Sequence, residues 1–149
     1  MRSRRPFVRR ALWLVVGVVV AACGQATESD LIAAEEKWSA TGTDDYTLDM
    51  EIRCFCALEG SYEVSVRDDQ VAELLYLIDG TWTEEPDWIP HADWFTAEGL
   101  FEVVRENLDA DKIKVKYDGV QGYPTSIDIY LDTAETDNGL RISAVLQAS

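Results

Sequence analysis

The sequence predicts an α+β domain: an antiparallel sheet of about six strands with two helices, in the order αβββαβββ. Three observations lead there. From Tyr46 to Cys56 the even positions are apolar or Cys, while the odd ones are Thr47, Asp49, Glu51 and Arg53, and Phe55 alone breaks the polar side. Side chains alternate between the faces of a strand, so this run has one face on a core and one in water, with both cysteines on the buried side. Further short apolar runs follow, most with the same period of two. Two stretches of helical period precede them, one before each set of three strands.

Taken in order, Thr27 or Ser29 caps a first helix, and Glu28 and Asp30 suit its first turn. Leu31, Ala34 and Trp38 lie on one stripe, and Gly42 stops the helix. Beyond the strand at 46–56, Glu59-Gly60 is a turn, Tyr62, Val64 and Val66 alternate as a second strand, and Asp68-Asp69 turns again. Val71 to Ile78 is more continuously apolar, the pattern of a central strand, and Asp79-Gly80 ends it. The stretch from Thr81 to Phe95 is the least regular; Pro86 and Pro90 exclude a helix through it. Thr96 caps a second helix with Leu100, Phe101, Val104 and Leu108 on its buried stripe. Ile113, Val115 and Tyr117 alternate with Lys112, Lys114 and Lys116, and Ile127, Ile129 and Leu131 alternate with Ser126, Asp128 and Tyr130. Turn signals at Asp118-Gly119, Gly122-Tyr123-Pro124 and Asp137-Asn138-Gly139 separate these strands from the last, Leu140 to Leu146. Each half is an αβββ unit. Internal duplication is therefore a hypothesis, and it requires the halves to superpose.

The N-terminus sets an expectation of location. Arg2, Arg4, Arg5, Arg9 and Arg10 precede the apolar run Ala11 to Ala22, and Cys23 follows. That is the layout of a secretory signal, and the run is shorter than the roughly 20 residues needed to span a bilayer. Val20-Ala21-Ala22-Cys23 resembles the bacterial lipobox, which implies a mature protein that begins at Cys23 and carries lipid there, palmitate included. Two acyl chains anchor stably where one holds only marginally. The expected organisation is a signal at 1–22, a lipidated Cys and linker at 23–29 and a single domain at 30–149, on the extracytoplasmic face of the cell membrane. Ser3-Arg4-Arg5-Pro6-Phe7-Val8-Arg9 also resembles a twin-arginine export signal, whereas the strong hydrophobicity of the run suits the general route.

Charge excludes some partners. The chain has 13 basic and 28 acidic residues, and the signal removes five basic and no acidic ones, so the mature part has 8 and 28, net −20. Nucleic-acid binding rests on Lys and Arg neutralising phosphates, and this composition argues against it. It equally disfavours lying flat on an anionic membrane.

Trp38, Tyr46, Cys54-Phe55-Cys56, Leu100-Phe101, Tyr117-Asp118 and Gly122-Tyr123-Pro124 stand in one order along the mature chain. This pattern resembles the uncharacterised family known as domain of unknown function 6174, whose members are small, secreted and often lipid-anchored bacterial proteins. The resemblance implies architecture and compartment and brings no activity. Asp68-Asp69 stands where the family usually has Asp-Gly.

Several groups are chemical candidates. Cys54 and Cys56 form a pair once Cys23 is lipidated, and thiols outside the cytoplasm tend to oxidise. In an extended strand their Cα atoms lie about 6.5 to 7 Å apart, at the upper edge of disulfide geometry, so a bridge needs a bend. A local disulfide, two packed thiols, and a redox or soft-metal (copper or zinc) site all remain open. His91 is the only His and Met50 the only Met of the mature part, so a metal lacks further ligands and no metal or cofactor is expected. His91 near Asp87 and Asp93 has no nucleophile to serve, and the expectation is no catalytic residue and no enzyme. Asp132, Glu135, Asp137 and Asn138 crowd one hairpin without the order of a calcium loop. Trp82, Trp88 and Trp94, with acidic residues between them, are the candidate ligand-binding surface for a protein or small molecule, or else a lid on the core. The functional expectation is a membrane-anchored, non-enzymatic binding or envelope-associated module, with thiol redox or metal handling as the alternative.

Overall fold

The structure, a computed structural model, describes residues 25–84, 92–130 and 139–147. Among them the chain forms α1 (Glu28–Thr41), β1 (Tyr46–Arg53), β2 (Gly60–Arg67), β3 (Gln70–Ile78) and β4 (Thr81–Glu84). A 3₁₀ turn (Ala92–Phe95), α2 (Ala97–Glu106), β5 (Lys112–Tyr117), β6 (Pro124–Tyr130) and β7 (Gly139–Gln147) follow. The strands make one antiparallel sheet in the order β4-β3-β2-β1-β7-β6-β5. No helix among the described residues is long and apolar enough to cross a membrane.

Local chemistry accounts for the helix ends. The Thr27 hydroxyl accepts a hydrogen bond from the Asp30 amide at 3.2 Å, and Gly42 closes α1 at φ +61°. Thr96 caps α2 in the same way through the Gly99 amide at 2.9 Å. Each cap satisfies an amide that has no partner inside its helix.

The period of two decides which face each strand buries. Tyr46, Leu48, Met50 and Ile52 are buried on β1. Opposite them stand Val66, Val64 and Tyr62 of β2 on one side and Ala144 and Ile142 of β7 on the other. Ile113, Ile127 and Ile129 extend the same layer to the far edge. Leu31, Ala34 and Trp38 of α1 and Leu100, Phe101, Val103 and Val104 of α2 cover it, giving one core between a helix layer and a sheet. The other face of the sheet, with Asp49, Glu51, Glu63 and Lys114, meets water.

Three expectations are corrected. The strand at 46–56 ends at Arg53, so the cysteines leave the buried face: Cys54 is half-buried and Cys56 exposed. Val71 to Ile78 is not central, because the second half joins the sheet through the pairing of β1 with β7, which leaves β3 two strands from the centre. Asp79 (φ +50°) and Gly80 (φ +77°) turn the chain straight back into β4, which forms the edge. β1 holds the centre instead. The duplication also fails. Both helices lie on one face, yet the first half places its first strand at the centre and the second half its last, with strand directions reversed. Bringing one half onto the other requires a mirror operation, and no rotation superposes them.

Gly122 marks where the second half meets α1. It sits at φ +91°, and a Cβ there would lie 2.4 Å from the Ala34 carbonyl oxygen. The next residue, Tyr123, packs its ring edge against Trp38 at 6.1 Å and accepts a hydrogen bond from the Leu146 amide.

Candidate functional site

Beyond Arg53 the chain bends, and Cys54 and Cys56 are joined by a disulfide with Cα atoms 5.2 Å apart. That separation falls inside the ordinary range of about 4.4 to 6.8 Å, which an extended strand would exceed. A ring this small turns the intervening side chain outward, and Phe55 is 96% exposed. The loop behind the bridge is tied down by three bonds. Tyr62 donates its hydroxyl proton to the Leu58 carbonyl at 2.9 Å, and Tyr76 donates to the Glu59 carbonyl at 3.3 Å. The Glu59 amide donates to the Cys56 carbonyl at 3.3 Å. Gly60 admits the Tyr76 ring, since a Cβ there would stand 2.2 Å from it.

A cavity of about 430 Å³ opens beside this loop. Ile52 and Ile142, cross-strand partners at one end of the sheet, form its floor. Leu140, Leu58, Trp94 and the disulfide with Phe55 form its walls, and Gly139 completes the lining. Among the described residues the lining is apolar, an arrangement suited to hold a hydrocarbon or aromatic group.

The tryptophans are not brought together. Trp82 pairs with Leu77 on the open face of the sheet, 42% exposed, while Trp94 stands at the cavity on the helix side, 38% exposed. Trp88 lies outside the described residues, as do Cys23, His91, Asp132, Glu135, Asp137 and Asn138. The side chain that seals the core below this stretch is Phe95, buried against Tyr62 with ring centroids 4.8 Å apart. Met50 is a core residue. Among the described residues no group of three or more His, Cys, Asp or Glu is placed to hold a metal.

A second, acidic cleft of about 500 Å³ lies at the opposite end of the sheet, lined by Asp69, Thr96, Glu98 and Glu102 among others. The Asp69 amide bonds to the Asp44 carbonyl, and the Asp68 amide to the Asp45 carboxylate. Desolvation, then the carboxylates of Glu98, Asp44, Asp68 and Asp45, push the Asp69 carboxyl above its usual range. Glu98 also has a structural part. It accepts from Trp38 Nε1 at 2.5 Å and from the Tyr46 hydroxyl at 3.1 Å, and that hydroxyl accepts from the Ala97 amide at 2.9 Å. One carboxylate thus ties α1, β1 and α2 together. Burial foremost, with the Glu98 charge beside it, raises the Tyr46 phenol well above its ordinary value.

Sequence reasoning named Cys54, Cys56 and Trp94 as candidates, but not the cavity that joins them or the acidic cleft. Leu58, Trp94 and the pair Leu140 and Ile142 come from three separate stretches of the chain, and the available signal was Phe55 breaking the polar side of its strand. The acidic cleft was signalled by two Asp-Asp pairs, at 44–45 and 68–69, which only the β1–β2 pairing brings together.

No curated protein and no solved structure matches the chain. A family model does match, over residues 30–145, which spans both helices and nearly all of the sheet. The chain belongs to the family of unknown function DUF6174.

Proposed function

We propose that this protein is a non-enzymatic binding module, held at the extracytoplasmic face of the membrane by lipid on Cys23, that takes an apolar group into the cavity beside the Cys54–Cys56 bridge. The observation that carries the reading is the pairing of that cavity with Phe55, which is almost wholly in water at its rim. A large exposed aromatic on a covalently closed, hydrogen-bonded loop is costly in water and suits a surface that becomes covered. The bridge supports binding over soft-metal handling, because both sulfurs are engaged with one another. The basic leader and the lipobox-like Val20 to Cys23 support the anchor.

Two measurements test this. Titration with the neutral fluorophore N-phenyl-1-naphthylamine is expected to show one saturable site that Leu140→Asp abolishes; unsaturable or unchanged binding defeats the cavity reading. Metabolic labelling with an alkynyl palmitate is expected to tag the protein and to fail in Cys23→Ala, which should also release it from membranes. An unlabelled protein defeats the anchor.

A further inference from the structure

The end of the sheet that carries the cavity is also where the chain enters the domain. The Ala26 amide donates to the Ile113 carbonyl at 3.0 Å, and the Gln25 side-chain amide reaches the Ala110 carbonyl at 3.3 Å. Both acceptors lie at the start of the edge strand β5. Register carries that end across the sheet: Lys112 stands opposite Tyr130, Tyr130 opposite Gly139, and Ile142 opposite Ile52. The disulfide loop follows directly from Ile52. From β5 to β1 is three strand spacings, about 14 Å. From Gln25 back to Cys23 is two residues, at most about 7 Å of chain. An anchor on Cys23 therefore brings the bilayer surface close to Phe55 and the mouth of the cavity.

We propose that the occupant of the cavity is the hydrocarbon chain of a lipid from the same membrane, with Phe55 resting in the interface. This deepens the binding reading above and rests on it. A chain that passes from the bilayer into an apolar cavity facing it exposes little of itself to water on the way, and a water-borne apolar ligand has no such advantage. Aromatic side chains are favoured at the level of the headgroups.

The test uses the full lipidated protein, reconstituted into vesicles of phosphatidylethanolamine and phosphatidylglycerol with acyl chains spin-labelled close to the headgroup. Tryptophan emission is read for the wild type and for Trp94→Phe, and the difference isolates Trp94. The expected result is that most of the Trp94 emission is quenched, and that Phe55→Asp relieves the quenching while the protein stays on the vesicles. Phe55 makes almost no packing contact, so the fold should persist, and an unchanged melting curve checks it. Unquenched Trp94 in a vesicle-bound protein that still binds N-phenyl-1-naphthylamine overturns the lipid and leaves the cavity reading standing. Failure of both overturns the two together, and recovery of the protein in the wash overturns the lipid and the anchor while probe binding still decides the cavity.

Discussion

Replacing Gly122 with alanine sets a loop against the backbone of a helix. The glycine sits at φ +91°, and an added Cβ would lie 2.4 Å from the Ala34 carbonyl oxygen, 2.7 Å from Lys37 Cβ and 3.1 Å from the Trp38 amide nitrogen. Two of these neighbours are main-chain atoms of α1, so no flexible side chain can swing aside. Holding a non-glycine residue at that φ costs about 1–3 kcal/mol. Forcing a methyl group into a filled contact adds about 1–3 kcal/mol more. The expected loss is about 2–6 kcal/mol, which at about 4 °C per kcal/mol for a domain of this size lowers Tm by about 8–24 °C. Urea unfolding followed by circular dichroism gives the free energy directly, and a thermal melt gives the shift. Gly119 provides the control. It lies in the same turn with nothing within 4 Å of its added Cβ and no positive φ, so Gly119→Ala should stay within about 0.5 kcal/mol of the wild type. If Gly122→Ala behaves like Gly119→Ala, the contact between this turn and α1 is not what the geometry says, and the reasoning fails.

Glu98→Ala leaves Trp38 Nε1 without its acceptor and Tyr46 without one of its two partners, so a loss of about 1.5–3 kcal/mol in urea midpoint stability is expected even though the carboxylate is reached by water. Stability should decline in alkali. Burial foremost, with the Asp30 and Glu35 charges, pushes the Tyr117 phenol up to about 12, and Tyr46 is raised as well. Below the ordinary phenol value of about 10 both states are protonated and stability is full; above it the unfolded chain releases protons that the fold retains, so stability falls by at most about 1.4 kcal/mol per pH unit for each tyrosine. Tyr117→Phe should lessen that slope in urea titrations between neutral and alkaline pH at little cost, since its buried hydroxyl has no partner among the described residues. Replacing Cys54 and Cys56 together with Ser should cost only about 1.5 kcal/mol, the closure entropy of a three-residue loop, while weakening probe binding at the cavity; a large loss of stability with unchanged binding would contradict the role given to the bridge. Asp69→Asn should raise Tm at low salt, and the gain should vanish in high salt or in acid, where the native aspartate is neutral.

The sequence by itself determined the local elements. Caps at Thr27 and Thr96, the stop at Gly42, the stripe through Leu31, Ala34 and Trp38, and the alternation along β1 each rest on interactions within a few residues, and each stands in the structure. It also determined the family resemblance, which the match over residues 30–145 bears out. Tertiary structure decided what depends on partners distant in the chain. Continuous apolar character marked Val71 to Ile78 as central, but the pairing of β1 with β7 put the centre at β1, and the hairpin with β4 only covers the outer side of β3. Whether Cys54 and Cys56 stay on a strand or leave it depended on the bend that follows Arg53, and the loop it begins is held by Tyr62 and Tyr76 from other strands. The cavity joins Ile52, Trp94 and Leu140 from three separate parts of the chain, and the two Asp-Asp pairs meet only through the pairing of β1 with β2. Periodicity records which side of an element faces apolar surroundings. It carries no record of which other element supplies them, and a site assembled from several elements is made of that second kind of information.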